Sequence, residues 1–360
     1  MNNIEFLKKH APCYVYDRAP VIRNCSRLTT AIPQVKFLYS VKTNPFRPLL
    51  GLVRKQGFGA DAASSGEVLR AEEAGMSRNA VFYSAPGKTA SDIRNAYGKC
   101  VFIADSLHEL ELLNTVAAEH HEVLSVGIRV NPMSAFEEEL RPSGFGVDEE
   151  LLGTVSAGME RLTHLRIVGV HVHVRSQVLS TGQLEQYYGQ CFELAVRAGG
   201  LRGIDIRFVN FGSGIGMVYD RTSQAEVDLS RLSAAFDGIR KRNAETLNAE
   251  LYIETGRFIV GNAGRYYTPV VDIKESRGTK YLIVRNGLNG FARPAIAQCL
   301  KSAAGKYPEQ GMEPLYTCGN EVSLRILNDE TQAEEVTPET ASIFLKISNL
   351  INMSCGCTLI

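Results

Sequence analysis

KFLYSVKTNPFRPLLGLVRKQGFGAD, residues 36–61, holds one full turn of the pattern on which most of the chain is built. Phe37, Leu38, Tyr39 and Val41 form a short aromatic and β-branched run, the mark of a strand, which ends at Lys42. Residues 45–55 then carry apolar side chains at helical spacing, and the glycine break at Gly57 leads into a second short run ending near Asp61. A strand, a helix and a strand whose core is almost wholly apolar predict a parallel β/α unit covered on both faces.

Working outward, the same texture recurs in AVFYSA (residues 80–85), CVFIAD (100–105), LSVGIRV (124–130), RIVGVHVHV (166–174), DIRFVNF (205–211) and ELYIET (250–255). With the first two runs this makes eight candidate strands. The stretches between read as helices. Residues 64–74 open on Ser-Ser-Gly-Glu, an N-cap signal, and residues 106–119 on Ser-Leu-His-Glu, which fits a capping box. Residues 181–198 and 224–247 are long and amphipathic. Eight such units in about 250 residues have the size of an eight-stranded β/α (TIM) barrel. A doubly wound open sheet is the alternative. After residue 262 the texture changes, and RYYTPVVDIKES, KYLIVRN and PLYTCG read as strands without intervening helices. The expectation is a barrel over residues 13–262 and an all-β C-terminal domain over 263–360, with residues 1–12 a candidate addition to it.

The bulk properties narrow the function. The 360 residues are 44% hydrophobic, enough for one large domain and a smaller one. Lys+Arg and Asp+Glu both number 39, so nothing in the charge calls for nucleic acid or an anionic membrane. The eight cysteines show no CxxC spacing, which points to a reducing cytoplasm rather than a disulfide framework. MNNIEFLKKH lacks the apolar core of a signal peptide, and no apolar run reaches the roughly 20 residues of a membrane span. The last four residues, from Cys357, mimic a prenylation box without a polybasic neighbour, and we read them as chance.

A β/α barrel keeps its active site at the C-terminal ends of its strands. The polar residues there are Lys42, Asp61, Ser64, Asp105, Asn131, His171, His173, Ser176, Gly212 to Gly216, Glu254 and Arg257. A lysine at a barrel mouth can lose its proton cheaply and act as a Schiff-base nucleophile; the plain alternative is a surface lysine ending a strand. Gly212, Ser213 and Gly214 form a loop whose backbone N–H groups can crowd round a phosphate, or a simple tight turn. Glu254 can hold a proton on a pyridine nitrogen and Arg257 can pair with a phosphate, unless the two are a structural ion pair. His171 and His173 alternate, so both face the same way. No third ligand at metal spacing is evident, so no metal is expected; a flat imidazole can equally stack on a ring, and His171 reads as a satisfied core histidine.

Seven segments carry a family resemblance: CYVYD (13–17), YSVKTNP (39–45), GADAASSGEVLRAEEAG (59–75), GVHVHVRSQ (169–177), NFGSGIG (210–216), ETGRFIVGNAG (254–264) and GLNGFARPA (287–295). In their order, over roughly four-fifths of the chain, they resemble the fold-type III pyridoxal-phosphate decarboxylases, diaminopimelate decarboxylases above all. The resemblance implies an alanine-racemase-type barrel and pyridoxal 5'-phosphate as cofactor. It implies decarboxylation of a diaminopimelate-like or other amino acid through an external aldimine. Lys42 matches the Schiff-base lysine, His173 the histidine stacked on the ring, and Ser176 with Gly212 to Gly214 the phosphate cradle. Glu254 matches the partner of the pyridine nitrogen, Asp61 an acid beside the lysine, Arg257 a base near phosphate or substrate, and Arg293 a ligand of the substrate carboxylate. It also implies a homodimer with active sites at the interface. Departures fall at Val322, where the family carries a cysteine, and at the C-terminus, where its tyrosine segment is absent; Gly144 and Arg175 replace a basic residue and a glycine. They leave two other readings open, a pyridoxal-phosphate-binding regulatory or partner protein without turnover, and a racemase on the same barrel.

Overall fold

The computed structural model describes residues 3–286 apart from 137, 140, 141, 220, 222 and 278, together with Gly290 and the strands Leu324–Leu327 and Phe344–Ser348. The chain divides into two compact units: Val21–Met217 with Ala225–Val260, and Met1–Pro20 with Val218–Gln224 and the described residues from Gly261 onward.

The first unit is a closed parallel barrel. Its strands are β1 (Lys36–Ser40), β2 (Gly59–Ala62), β3 (Val81–Tyr83), β4 (Val101–Ala104), β5 (Leu124–Asn131), β6 (Leu165–His171), β7 (Ile204–Asn210) and β8 (Glu250–Thr255). They pair in chain order, and the β8–β1 and β5–β6 pairings leave no edge in the ring. Each of the eight runs expected from the sequence supplies one strand. Their residues are buried on both faces because helices cover the outside and side chains fill the lumen. Leu38, Phe82, Ile103, Val168, Phe208 and Tyr252 form one buried cluster. Phe82 on β3 and Phe208 on β7 are not neighbours on the ring, yet their rings meet edge to face at 5.2 Å across the lumen. Gly169 makes room for this plug: a Cβ there would fall 2.2 Å from the Phe208 ring.

Helix starts follow local chemistry. Ser64 Oγ accepts from the Glu67 N–H at 3.2 Å, as its N-cap signal predicts. Ser106 caps helix Leu107–Glu119 in the same way, but the reciprocal half of the expected capping box is missing. The Glu109 carboxylate instead accepts from the Asp105 N–H at 2.9 Å and from buried Lys88 Nζ at 2.8 Å. A complete capping box stands at Thr89–Asp92, ahead of helix Ala90–Ala96.

The second unit contains antiparallel strands β9 (Gly264–Ser276), β10 (Thr279–Val284), β11 (Leu324–Leu327) and β12 (Phe344–Ser348). The strand Cys13–Tyr16 belongs to this sheet, pairing with β9 from Cys13↔Tyr267 to Tyr16↔Gly264. The barrel unit therefore begins at Val21 and not at residue 13. The pairing spans some 250 residues of sequence, which no local pattern announces. Among the described residues no helix is long and apolar enough to cross a membrane.

Candidate active site

The C-terminal ends of β1, β2, β6, β7 and β8 bring the expected residues together. β1 stops at Ser40, and Lys42 sits in a 3-10 turn, Val41–Thr43, just past the strand. This turn lies against the end of β8: a Cβ on Gly256 would fall 2.1 Å from Thr43 Oγ1, so glycine makes room for the Thr43 side chain. Ser40 pairs with Asp61 across β1 and β2. That register sets Lys42 Nζ 3.7 Å from Asp61 Oδ2, with the lysine half exposed and the aspartate buried. Asp61 Oδ1 accepts from Ser84 Oγ, while Oδ2 has no hydrogen-bond donor among the described residues.

The charge state of Lys42 corrects the expectation of a cheaply lost proton. Asp61 raises its pKa above the ordinary lysine value, burial opposes this, Glu254 adds to it and Arg129 subtracts. The carboxylates prevail, so Lys42 holds its proton at neutral pH.

Glu254, on β8, is almost wholly buried. Its Oε1 accepts from Asn210 Nδ2 at 2.9 Å and lies 3.1 Å from His171 Nε2. Its Oε2 has His173 Nδ1 at 3.6 Å, beyond hydrogen-bond reach. Burial raises the pKa of this carboxyl, but His171 and His173, when protonated, outweigh burial and hold it below the usual carboxylate range, so Glu254 is ionised. The site thus presents a buried carboxylate with one oxygen open.

β6 ends at His171, so His173 lies beyond the strand and does not alternate with it as read. It reaches the same cluster because the chain stays tied to the end of β7. Val172 N–H donates to Asn210 C=O at 2.9 Å, and the buried Tyr187 hydroxyl lies 3.1 Å from Val172 C=O and 3.0 Å from Phe211 C=O. The Ser213 N–H donates to His173 Nδ1 at 3.0 Å. A backbone N–H can only donate, so Nδ1 carries the lone pair and a neutral ring carries its proton on Nε2.

His171, His173 and Glu254 also form a group of metal-ligand type, which the sequence spacing did not reveal. The His173 nitrogen nearest Glu254, Nδ1, is engaged by the Ser213 amide.

Gly212 has φ +64°, and a Cβ there would lie 2.3 Å from Val172 O and 2.8 Å from His173 Cβ. A Cβ on Gly214 would meet Leu184 at 2.8 Å and Tyr188 Oη at 3.1 Å. Gly212 admits only glycine and Gly214 leaves little room for a side chain; the Gly212 and Ser213 N–H groups donate to Asn210 Oδ1 and His173 Nδ1, which leaves the Gly214 N–H of this backbone cradle without an acceptor among the described residues. Ser176 lies in the adjacent loop, which the Val178 N–H fastens to Gly214 C=O at 2.9 Å. Arg257 opens the short helix Arg257–Val260. Among the described residues no hydrogen bond joins the Ser176 or Arg257 side chain to the cluster.

One group escaped the sequence reading. Arg129, on β5, is buried between Asp105, whose Oδ1 lies 3.5 Å from Nη1, and the His173 C=O, 3.3 Å from Nη2, with the Phe145 ring 4.6 Å from its guanidinium carbon. The signal was there: a charged residue inside the apolar run LSVGIRV. Arg293, Val322 and the residues after Ser348 lie outside the described residues.

These residues fit pyridoxal phosphate: a glycine cradle for a phosphate, a buried carboxylate with a free oxygen for a protonated pyridine nitrogen, an oriented imidazole, and an amine beside an orphaned buried carboxylate oxygen. Residues 18–261 match the family model described as pyridoxal-dependent decarboxylase, pyridoxal binding domain. The chain belongs to this decarboxylase family. The decarboxylase is 30% identical to a diaminopimelate decarboxylase of Aquifex aeolicus, over 79% of this chain and 68% of that one. It is 28% identical to the L-glutamyl-[BtrI acyl-carrier protein] decarboxylase of Niallia circulans, over 82% and 71%. Among solved structures it superposes on a diaminopimelate decarboxylase of M. jannaschii in complex with L-lysine, with TM-score 0.71 and 26% identity over 82% of this chain and 72% of that one. It is a carboxy-lyase of alanine-racemase-type fold, and pyridoxal phosphate is its cofactor.

Proposed function

We propose that this decarboxylase removes CO2 from an amino acid of the diaminopimelate class, with Lys42 as the lysine that holds the cofactor aldehyde. The observation that carries this reading is the buried Glu254 carboxylate with Oε2 open, set at the same barrel mouth as Lys42 and Asp61. Bound pyridoxal phosphate supplies an electron sink for the pair left at the α-carbon when CO2 departs. Glu254 keeps a pyridine nitrogen protonated, since a buried carboxylate stabilises an adjacent N–H⁺. His173, oriented by the Ser213 amide, would stack on the ring. Ser176 and Gly212 to Gly214 would hold the phosphate, and Arg257 would add positive charge there. Asp61 holds a proton on Lys42 Nζ, so that the free amine could serve as a proton donor at the reacting centre. Arg293 serves the distal substrate carboxylate, and the active form is a homodimer, the default for soluble oligomers.

The test pairs two measurements. Purified protein with pyridoxal phosphate is expected to show an absorption band near the visible edge that disappears in Lys42→Ala. CO2 release is then screened over diaminopimelate, lysine, ornithine and acidic amino acids. Release from diaminopimelate above the rest supports the reading. A band without release from any substrate overturns it in favour of a binding protein, and loss of optical rotation without CO2 in favour of a racemase.

A further inference from the structure

His171 is a fully buried titratable group that the mechanism above does not use. It ends β6, in register with Arg129 on β5 and Asn210 on β7. Nε2 lies 3.1 Å from Glu254 Oε1, yet neither ring nitrogen makes an aligned hydrogen bond among the described residues. A buried polar group left in that state is costly, so a core histidine kept purely for packing would be better replaced by an apolar residue. Its charged and titratable surroundings are Glu254, Arg129 and His173, whose ring centroid is 6.5 Å away.

We infer that His171 is a positioning residue for Glu254: as a neutral imidazole on Oε1, beside the Asn210 amide, it leaves Oε2 as the oxygen that accepts from the pyridine N–H⁺. The inference rests on the role proposed for Glu254. Two observations and one physical argument favour it. Oε1 already has two nitrogens within 3.1 Å, from Asn210 and His171, while Oε2 has none within hydrogen-bond distance. Burial lowers the His171 pKa more than Glu254 and its contact raise it, so the ring is neutral and does not cancel the carboxylate charge. An imidazolium at the same place would satisfy Glu254 outright and weaken its hold on a proton at the pyridine nitrogen.

The decisive readout is the ring-nitrogen resonance of ¹⁵N-labelled pyridoxal phosphate bound to the protein, compared among wild type, His171→Leu, His171→Gln and Glu254→Gln. The wild type should show a protonated pyridine nitrogen. In His171→Leu the resonance should move toward the unprotonated position and kcat should fall about 10- to 100-fold, the scale of a buried polar contact to a charged group lost, with KM little changed. His171→Gln, which keeps a donor at the Nε2 position, should recover most of both. An unmoved resonance in His171→Leu, or no recovery in His171→Gln, overturns the inference. If Glu254→Gln itself keeps the protonated nitrogen, the Glu254 reading fails first, which separates the two. Should His171→Leu not fold, ¹⁵N-histidine spectra of the wild-type holoenzyme decide: a neutral ring protonated on Nε2 supports the inference, and an imidazolium or an Nδ1–H ring overturns it.

Discussion

Gly212→Ala probes the cradle directly. At φ +64° an alanine pays about 1–3 kcal/mol of backbone strain before any contact is counted. The new methyl would stand 2.3 Å from Val172 O, 2.8 Å from His173 Cβ and 2.9 Å from His173 Cα. All three atoms belong to the segment that carries His173, and they are backbone or Cβ, with no flexible end to swing away. Reaching ordinary contact requires that segment to retreat by about 1 Å. The same movement breaks the Ser213 N–H to His173 Nδ1 bond, and a displacement of that size at a reacting centre costs on the order of 100-fold. The expected outcome is a Tm lower by roughly 2–12 °C, with kcat lowered on the order of 100-fold. Gly238→Ala is the internal control. It lies inside helix Leu229–Thr246 with nothing within 4 Å of its Cβ, so it should be neutral or stabilising by up to about 1 kcal/mol. A kcat for Gly212→Ala within threefold of wild type would refute the account of the loop.

Further outcomes follow from the electrostatics and the caps. Asp61→Asn removes the largest influence raising the Lys42 pKa, so the pH profile for cofactor capture by the apoprotein should shift to lower pH; an unchanged or upward-shifted profile would contradict the pairing. Lys88→Met strands Glu109 in the interior beneath Asp105 and should cost about 3–5 kcal/mol in urea unfolding, against well under 1 kcal/mol for an exposed pair such as Arg202 with Glu160. Thr89→Ala should lose about 1 kcal/mol by removing the N-cap of helix Ala90–Ala96. The Thr89 and Ser65 hydroxyls hold Asp92 below its ordinary value of 3.8. That contribution is therefore fully present above pH 3.8 and is lost as pH falls through the depressed value, so the Thr89→Ala deficit in thermal unfolding should shrink in strong acid.

The eight strands and the site residues at their ends were legible because a parallel strand buried on both faces must be an apolar run, whatever surrounds it. Lys42, Asp61, His173 and Glu254 stand where those runs stop. Details set by the turn beyond each strand were less legible. Lys42 falls in a 3-10 turn and His173 past the end of β6, because pairing stops at Ser40 and His171. Glu109 read as half of a capping box, but the interior offered it Lys88 and the Asp105 amide instead.

By itself, then, the sequence determined the strand and helix order, the barrel and the chemical types gathered at its mouth, since these follow from hydrophobic period and local turn chemistry. Tertiary structure alone decided that His171 and Asn210 converge on one oxygen of Glu254, and that Arg129 spans Asp105 and the His173 carbonyl. It also decided that Lys42 keeps its proton and that Cys13–Tyr16 joins a sheet some 250 residues away. Such contacts depend on distances between residues far apart in the chain, and the charge state of a group depends on those distances and on the water excluded around it.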